Sequence, residues 1–383
     1  MSHVLKCGVA ALALITLAAC SGKAKVREPA ALVKIEQPQV ETYRAWSAGT
    51  AGGSDGLATG LQLFLGEGAI YAAETDGRVF AFERDSGKRI WQQDTESRLI
   101  GGPSVFGDLV LLGSRDAEVV ALQRADGVER WRRSISSEVL GAPVGAGDLI
   151  VARAVDGRVF GMAASSGDAL WTFDRLVPNL VLRGLSTPLI TGNSVVVGME
   201  NGRVAALNLS DGVALWEQPV TLPSGRTELE RLVDIDADLI DGPRCIYAAS
   251  FGGEVACLDR NSGQIIWRRE IKTYSGMVLH GDKLVVTDED GVVWGLDADS
   301  GAAAWKQESM KYRKLSAPAA FGAHLVVGDF KGYLHWIAAD DGRLIGRSRA
   351  GSDPIVKAPL AGEELLYVLN VEGKVTALGI EAE

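Results

Sequence analysis

The sequence is poor in the residue types that most often carry catalysis or bind metals. It has four histidines and four cysteines in 383 residues, and only His280, His324 and His335 follow residue 20. None of these histidines lies at the spacing of a metal site, and two cysteines after residue 20 are too few for a disulfide scaffold. The formal net charge of −10 also excludes nucleic-acid binding through a basic surface.

Long apolar runs are equally scarce, and the one at the N-terminus is short. Gly8 to Ala19 form twelve apolar residues after Lys6, too few to cross a bilayer but typical of a secretory signal. The end of this run and the next residue, Leu17-Ala18-Ala19-Cys20, are similar to a bacterial lipobox. In a lipobox the cysteine becomes the first mature residue and carries the lipid. Ser21, in place of an aspartate, then implies delivery to the outer membrane.

What the sequence does contain is glycine, 46 residues of it, and an internal repeat. Asp76-Gly77-Arg78-Val79-Phe80-Ala81 is followed by Ser86-Gly87 and then by Trp91. Six copies keep 15 residues between their first position and the tryptophan, with first positions at 76, 116, 156, 201, 252 and 290. A seventh copy, at 331–346, has Gly346 in place of the tryptophan, and an eighth begins at Glu372 and ends before its tryptophan strand.

Each repeat unit holds four short β-like runs. In the third copy they cover 143–146, 148–153, 158–163 and 169–173, and Gly-Asp, Asp-Gly and Ser-Gly pairs typical of tight turns separate them. Four antiparallel strands in about 40 residues are typical of a propeller blade. We therefore predict an all-β protein with one eight-bladed β-propeller at 41–380, preceded by a signal peptide at 1–19 and an acylated Cys20 with a tether to residue 40.

The N-terminal segment offers a way to close the predicted ring. Tyr43-Arg44-Ala45-Trp46 carries a tryptophan with no repeat before it, whereas the eighth copy lacks its tryptophan strand. Pairing this segment with the last blade would remove a free edge. A tryptophan at one fixed place in every unit indicates packing between neighbouring blades rather than ligand binding.

The pattern Gly295-Leu-Asp-Ala-Asp-Ser-Gly-Ala-Ala-Ala-Trp305 resembles the repeat of pyrroloquinoline quinone enzymes, over about residues 43–378. A lipobox-like leader, a short tether and eight such blades resemble the BamB family. That resemblance implies a non-catalytic subunit of the machinery that inserts β-barrels into the bacterial outer membrane. It implies binding to the periplasmic domains of BamA and to other assembly subunits, with unfolded outer-membrane proteins as further candidate partners, and a lipid-anchored place on the periplasmic face. It implies no cofactor, no metal and no nucleic acid.

Two consecutive connections between blades break the repeat, and such departures map to functional loops. The tryptophan of one blade and the next proline are 12 residues apart at Trp91–Pro103, but 17 apart at Trp171–Pro188 and 27 at Trp216–Pro243. The first long connection places apolar residues beside a cation, and the second alternates carboxylates with apolar residues. The BamB resemblance implies that BamA is contacted by Leu180, Leu182, Arg183, Asp234 and Asp236. Alternatively, the two loops pack on each other, with Arg183 bridging to Asp234 or Asp236.

Two other functions remain open at this point. A quinone-dependent dehydrogenase would need a Ca²⁺ site and a catalytic aspartate, and often carries adjacent cysteines. Cys245 and Cys257 are not adjacent; they lie on neighbouring predicted strands, where they are either small core residues or a disulfide. A propeller that binds a different envelope protein is the other alternative.

Overall fold

The computed structural model describes residues 27–50, 52, 59–175, 186–223, 233–251 and 253–381. Within these ranges the chain forms strands and turns, and no helix is long and apolar enough to cross a bilayer. The strands assemble into eight sheets, one for each predicted blade.

The strand bounds follow the repeat copies. The first two strands are β1 (Thr42–Gly49) and β2 (Gly60–Leu61). Blade 1 has β3 (Phe64–Leu65), β4 (Ala69–Ala73), β5 (Arg78–Glu83) and β6 (Arg89–Asp94). Blade 2 has β7 (Leu99–Phe106), β8 (Leu109–Ser114), β9 (Glu118–Gln123) and β10 (Glu129–Ser134). Blade 3 has β11 (Val144–Ala146), β12 (Leu149–Arg153), β13 (Val159–Ala163) and β14 (Ala169–Phe173). Blade 4 has β15 (Leu189–Thr191), β16 (Ser194–Gly198), β17 (Arg203–Asn208) and β18 (Ala214–Pro219).

The second half of the ring repeats this plan. Blade 5 has β19 (Ile240–Asp241), β20 (Cys245–Ala249), β21 (Glu254–Asp259) and β22 (Ile265–Glu270). Blade 6 has β23 (Gly276–His280), β24 (Lys283–Thr287), β25 (Val293–Asp297) and β26 (Ala303–Gln307). Blade 7 has β27 (Ala319–Phe321), β28 (His324–Gly328), β29 (Tyr333–Ala338) and β30 (Leu344–Arg349). Blade 8 has β31 (Leu360–Ala361), β32 (Leu366–Leu369) and β33 (Lys374–Ile380).

The N-terminal strand completes blade 8, so the predicted closure is confirmed. The strand order of this sheet is β1-β33-β32-β31, and β1 pairs antiparallel with β33 from Thr42↔Ile380 to Gly49↔Lys374. Trp46 lies opposite the small residue Ala377, just as Trp91 lies opposite Ala81 in blade 1. The ring therefore has eight blades of four antiparallel strands, and its two ends meet in one sheet. The short β2 adds a parallel strand to β7 at the inner edge of blade 2.

The repeat pattern has a physical cause at each junction between blades. The indole Nε1 of Trp91 donates to the backbone carbonyl of Arg124 in the next blade at 2.9 Å. Gly127 closes the turn beneath that indole with φ +78°, and a Cβ on it would lie 2.7 Å from the Trp91 ring. Glycine is thus needed there for both backbone conformation and space. The same indole-to-carbonyl bond joins the blades at Trp46, Trp131, Trp171, Trp216, Trp267 and Trp305.

Blade 7 lacks the tryptophan on its fourth strand because the tryptophan and its small partner have exchanged strands. In the other blades a small residue on the third strand faces the tryptophan, as Ala81 faces Trp91. In blade 7 the third strand carries Trp336, which is fully buried, and the fourth carries Gly346 opposite it. A Cβ on Gly346 would lie 2.7 Å from the backbone oxygen of Val40. The glycine therefore makes room for the chain segment that precedes β1.

The antiparallel order within each blade divides the turns between two faces of the disc. Turns between the first and second strands, and between the third and fourth, lie on one face, which we call the turn face. Turns between the second and third strands lie on the other face with the connections from blade to blade, and we call it the connection face. The strands that flank the two long connections, β14 with β15 and β18 with β19, end and begin on the connection face.

The disulfide that the sequence left open is formed between Cys245 and Cys257, whose Cα atoms are 5.6 Å apart. They lie on the adjacent strands β20 and β21, and both are buried. Cys257 also faces Trp267, so it takes the place of the small residue in this blade.

Candidate functional site

A cavity of about 480 Å³ opens at the ring axis, on the connection face. The first strands of neighbouring blades contact one another around the axis. The cavity wall is formed by connections between blades together with β2, the end of β4 and the turn between β32 and β33. Its charged and polar lining combines acids from one side of the ring with bases from another: Asp236, Asp238, Tyr274, Lys314, Lys357 and Asn370.

The segment from Val233 to Leu239 forms the acidic side of this cavity. Its four apolar residues, Val233, Ile235, Ala237 and Leu239, are buried at 6% exposure or less. The Ile235 amide donates to the carbonyl of Met199 in blade 4 at 3.1 Å. Asp238 accepts from the Thr187 amide at 2.7 Å. Alternating apolar residues therefore fix this segment against blades 4 and 5 and leave Asp236 and Asp238 at the cavity.

Asp236 lies in an unfavourable electrostatic setting. Burial raises the pKa of its carboxyl to about 6; Arg153 opposes this rise and Glu200 adds to it. Arg153 and Glu200 form a buried ion pair with each other, so the guanidinium that could neutralise Asp236 is already engaged. Ionised at neutral pH, Asp236 is a partly buried carboxylate retained at a cost in stability, and such groups cluster at functional sites.

Lys314 and Lys357 form the basic side of the cavity. Burial lowers the pKa of Lys357, and the Asp238 carboxylate partly offsets the effect. Lys314 precedes the buried Leu315 and has φ +50°. The cavity thus presents charges of both signs to any group that enters it.

The structure places the sequence-predicted site residues in three different situations. Asp236 lines the cavity. Asp234 is 1% exposed, and its backbone oxygen accepts from the Phe251 amide at 2.9 Å. Leu180, Leu182 and Arg183 lie outside the described residues, as does Cys20.

Sequence reasoning missed the partners of Asp236, although a signal was present. The second strands of the other seven blades end in uncharged residues, whereas β12 ends in Arg153; those residues are Ala73, Ser114, Gly198, Ala249, Thr287, Gly328 and Leu369. A charged residue at a position that is uncharged in the other blades marks a local departure from the repeat. Among the residues that the structure describes, no three His, Cys, Asp or Glu side chains are grouped to hold a metal ion.

Comparison with known proteins gives a consistent result over almost the whole chain. The family model described as "Outer membrane protein assembly factor BamB" matches residues 75–307 and 295–382. The BamB of Alkalilimnicola ehrlichii is 42% identical over 370 residues, covering 97% of this chain and 96% of the relative. The BamB of Pseudomonas aeruginosa is also 42% identical, with 97% of each chain covered. The crystal structure of BamB from Moraxella catarrhalis superposes with a TM-score of 0.80 at 26% identity, covering 88% of this chain and all of the other.

The blade count, the closure by β1 and the family match agree with one another. On this evidence the chain belongs to the BamB family of outer membrane protein assembly factors.

Proposed function

We propose that the chain is a scaffold subunit of the outer-membrane β-barrel assembly machinery and that it binds the periplasmic domains of BamA. The names of the two relatives described above, both outer membrane protein assembly factors, support the assembly role. We further propose that a lipid on Cys20 holds the protein on the periplasmic face of the outer membrane.

The observation that carries the partner site is Asp236. Its carboxyl is largely buried with a raised pKa beside an ion pair that does not neutralise it. A folded protein gains nothing from such a charge on its own, whereas a basic group from a partner would both desolvate it further and pair with it. Asp236 belongs to the second irregular connection, and the strands β14 and β15 that flank the first one also meet the connection face, so one partner could engage both connections.

We assign the residues of this interface different roles. Leu180 and Leu182 supply apolar anchors, and Arg183 offers a bidentate fork to a partner carboxylate, which lysine could not copy. Asp236 pairs with a basic group of BamA. Asp234, being buried, acts as a positioning residue that holds the segment carrying Asp236.

The test is capture of the purified BamA periplasmic domains by the full-length protein. We expect Arg183→Glu or Asp236→Asn to weaken binding about tenfold or more, which corresponds to about 1.4 kcal/mol. Glu289→Gln is the matched control, since Glu289 is an exposed carboxylate on the connection face of blade 6. It should bind as the wild type does.

Asp236→Asn also separates a binding defect from a folding defect, because removing a charge that destabilises the folded state should not unfold the protein. Loss of capture with unchanged or increased stability would locate the effect in the interface. Wild-type binding by both variants would refute the site, and failure of the unmodified protein to capture BamA would favour a different envelope partner.

A second partner class, unfolded outer-membrane proteins, is supported by the outer strands of blades 3 to 5. Leu170, Leu215 and Ile266 each precede the blade tryptophan and are 60%, 54% and 45% exposed. They lie on the outermost strands of their sheets, whose edges can accept an added strand. Leu170→Ser with Leu215→Ser should weaken binding of a urea-unfolded outer-membrane protein without affecting BamA. Equal binding of the unfolded protein would argue against this surface.

A further inference from the structure

The segment before β1 is bound along the outer edge of blade 7. The Gln39 and Val40 amides donate to the Ile345 carbonyl of β30 at 2.6 and 3.2 Å. Val40 is 3% exposed and packs in the core of blades 7 and 8. Further towards the N-terminus, Arg347 on the same strand donates to the Val33 carbonyl at 3.0 Å. We call residues 27–40 the strap.

The start of the strap is fixed on the connection face. The Ala30 amide donates to the Lys311 carbonyl, and the Arg313 guanidinium donates to the Ala30 carbonyl, both at 2.9 Å. Arg27 forms an ion pair with Asp290 in the turn between β24 and β25. The strap therefore crosses the disc from the turn face, where β1 begins, to the connection face at blade 6.

The side chain that holds Ala30 is itself immobilised. Arg313 is 4% exposed and donates twice to the Asp329 carboxylate, at 2.8 and 2.6 Å. Asp329 is fully buried, contacts His335 Nε2 at 3.0 Å and accepts the backbone amides of Lys331 and Tyr333. Burial raises the pKa of the Asp329 carboxyl, but these hydrogen bonds outweigh it and the net pKa is lowered, so Asp329 stays ionised.

This geometry limits the reach of a lipid on Cys20. If all of 21–40 were free chain, Cys20 could lie roughly 70 Å from β1. With the strap bound, only residues 21–26 separate Cys20 from Arg27, and they span at most about 25 Å. The anchor then lies within about 25 Å of Arg27, which is bound at the connection face of blade 6.

This part of the connection face carries residues suited to a lipid headgroup layer. Tyr312 and Phe330, both partly exposed, come from one connection and one turn of the connection face. Arg27 lies over the Tyr312 ring at 5.3 Å, and Lys331 lies over the Phe330 ring at 5.6 Å. Aromatic rings beside basic side chains are typical of the membrane–water interface.

We infer that the strap orients the propeller on the membrane, with the connection face at blades 6 and 7 against the lipid surface. This inference rests on the proposed acylation of Cys20. It places the lipid surface and the proposed partner site on the same face of the disc, at different positions around the ring.

Energy transfer from the protein to a headgroup-labelled lipid tests the orientation. The acylated full-length protein is reconstituted in vesicles of phosphatidylethanolamine and phosphatidylglycerol containing the acceptor lipid. A donor dye is placed on Lys331→Cys, on the connection face, or on Asp340→Cys, on the turn face of the same blade. The two positions lie at opposite ends of β29, about 20 Å apart. We expect stronger transfer from residue 331; equal transfer, or stronger transfer from residue 340, would overturn the inference.

A strap-release variant separates the strap from the anchor. Ala30→Pro removes the amide that bonds Lys311, and Arg27→Glu sets two carboxylates against each other at Asp290. Together they should leave the protein on the vesicles but abolish the difference between residues 331 and 340; a difference that persists would show that the strap does not orient the disc. Cys20→Ala should remove the protein from the vesicles. If it stays bound, the proposed acyl anchor fails, a result distinct from equal transfer in an anchored protein.

Discussion

Truncating the tryptophan of the closing strand should cost as much stability as truncating any other blade tryptophan. Trp46 and Trp171 are each 8% exposed, and each donates its Nε1 to a carbonyl of the next blade at 3.0 Å. Each ring also covers the turn glycine of that blade, Gly87 or Gly212. The two side chains thus make the same hydrogen bond and cover the same turn, one at the junction that closes the ring and one within the continuous chain; Trp46 also packs against the Tyr367 ring.

The expected magnitude follows from these contacts. A buried tryptophan removes about 200 Å² from water, worth about 5 kcal/mol at 25 cal/mol per Å². Tryptophan-to-alanine changes in protein cores cost about 3–5 kcal/mol. We therefore expect Trp46→Ala and Trp171→Ala each to lower the free energy of unfolding by about 3–5 kcal/mol.

Urea unfolding followed by far-ultraviolet circular dichroism measures both variants without depending on tryptophan fluorescence. The comparison within the pair is decisive, because errors in the absolute estimate affect both members alike. A loss below about 1 kcal/mol for Trp46→Ala, with the full loss for Trp171→Ala, would refute the reasoning. It would mean that β1 frays from the ring at little cost.

Three further predictions concern stability. Replacing Cys245 and Cys257 together by alanine should lower the free energy of unfolding by about 3 kcal/mol, because a disulfide between residues 12 apart no longer restricts the unfolded chain; dithiothreitol should reproduce this loss in the wild type and leave the variant unchanged. Gly346→Trp restores the repeat consensus yet should destabilise the protein and displace Val40, and an increased urea midpoint would contradict that packing. Because the folded-state pKa of Asp236 is raised from 3.8 to about 6, its ionisation disfavours folding as pH rises between these values. Asp236→Asn should therefore have a higher urea midpoint than the wild type near pH 8 and lose this advantage near pH 4; an advantage independent of pH would show that ionisation is not the cause.

Much of the fold could be predicted because the same contacts, and therefore the same residues, recur in each repeat. The spacing from Asp76 to Trp91 and the glycine of each turn reflect contacts between sequence-adjacent blades, so the pattern alone gave the eight blades and the closing strand. The prediction that the chain is an assembly factor and not an enzyme is confirmed by its family.

What could not be predicted depends on contacts between distant parts of the chain. The loss of tryptophan at position 346 was visible, but the exchange with Trp336 makes sense only once Val40 is known to pack there. The electrostatics of Asp236 likewise require the turns of blades 3, 4 and 5 to converge on the axis. Neither the period of the repeat nor local composition carries that information.

The closing strand also has a consequence for how the protein folds. Because β1 pairs with β33, the N-terminal strand of the ring can pair only when the C-terminal strand of the ring is present. Until then β1 and the incomplete sheet of blade 8 are both open to pairing with other chains. The ring can therefore close only after all eight blades are available, and its two unpaired edges persist for as long as the chain is incomplete.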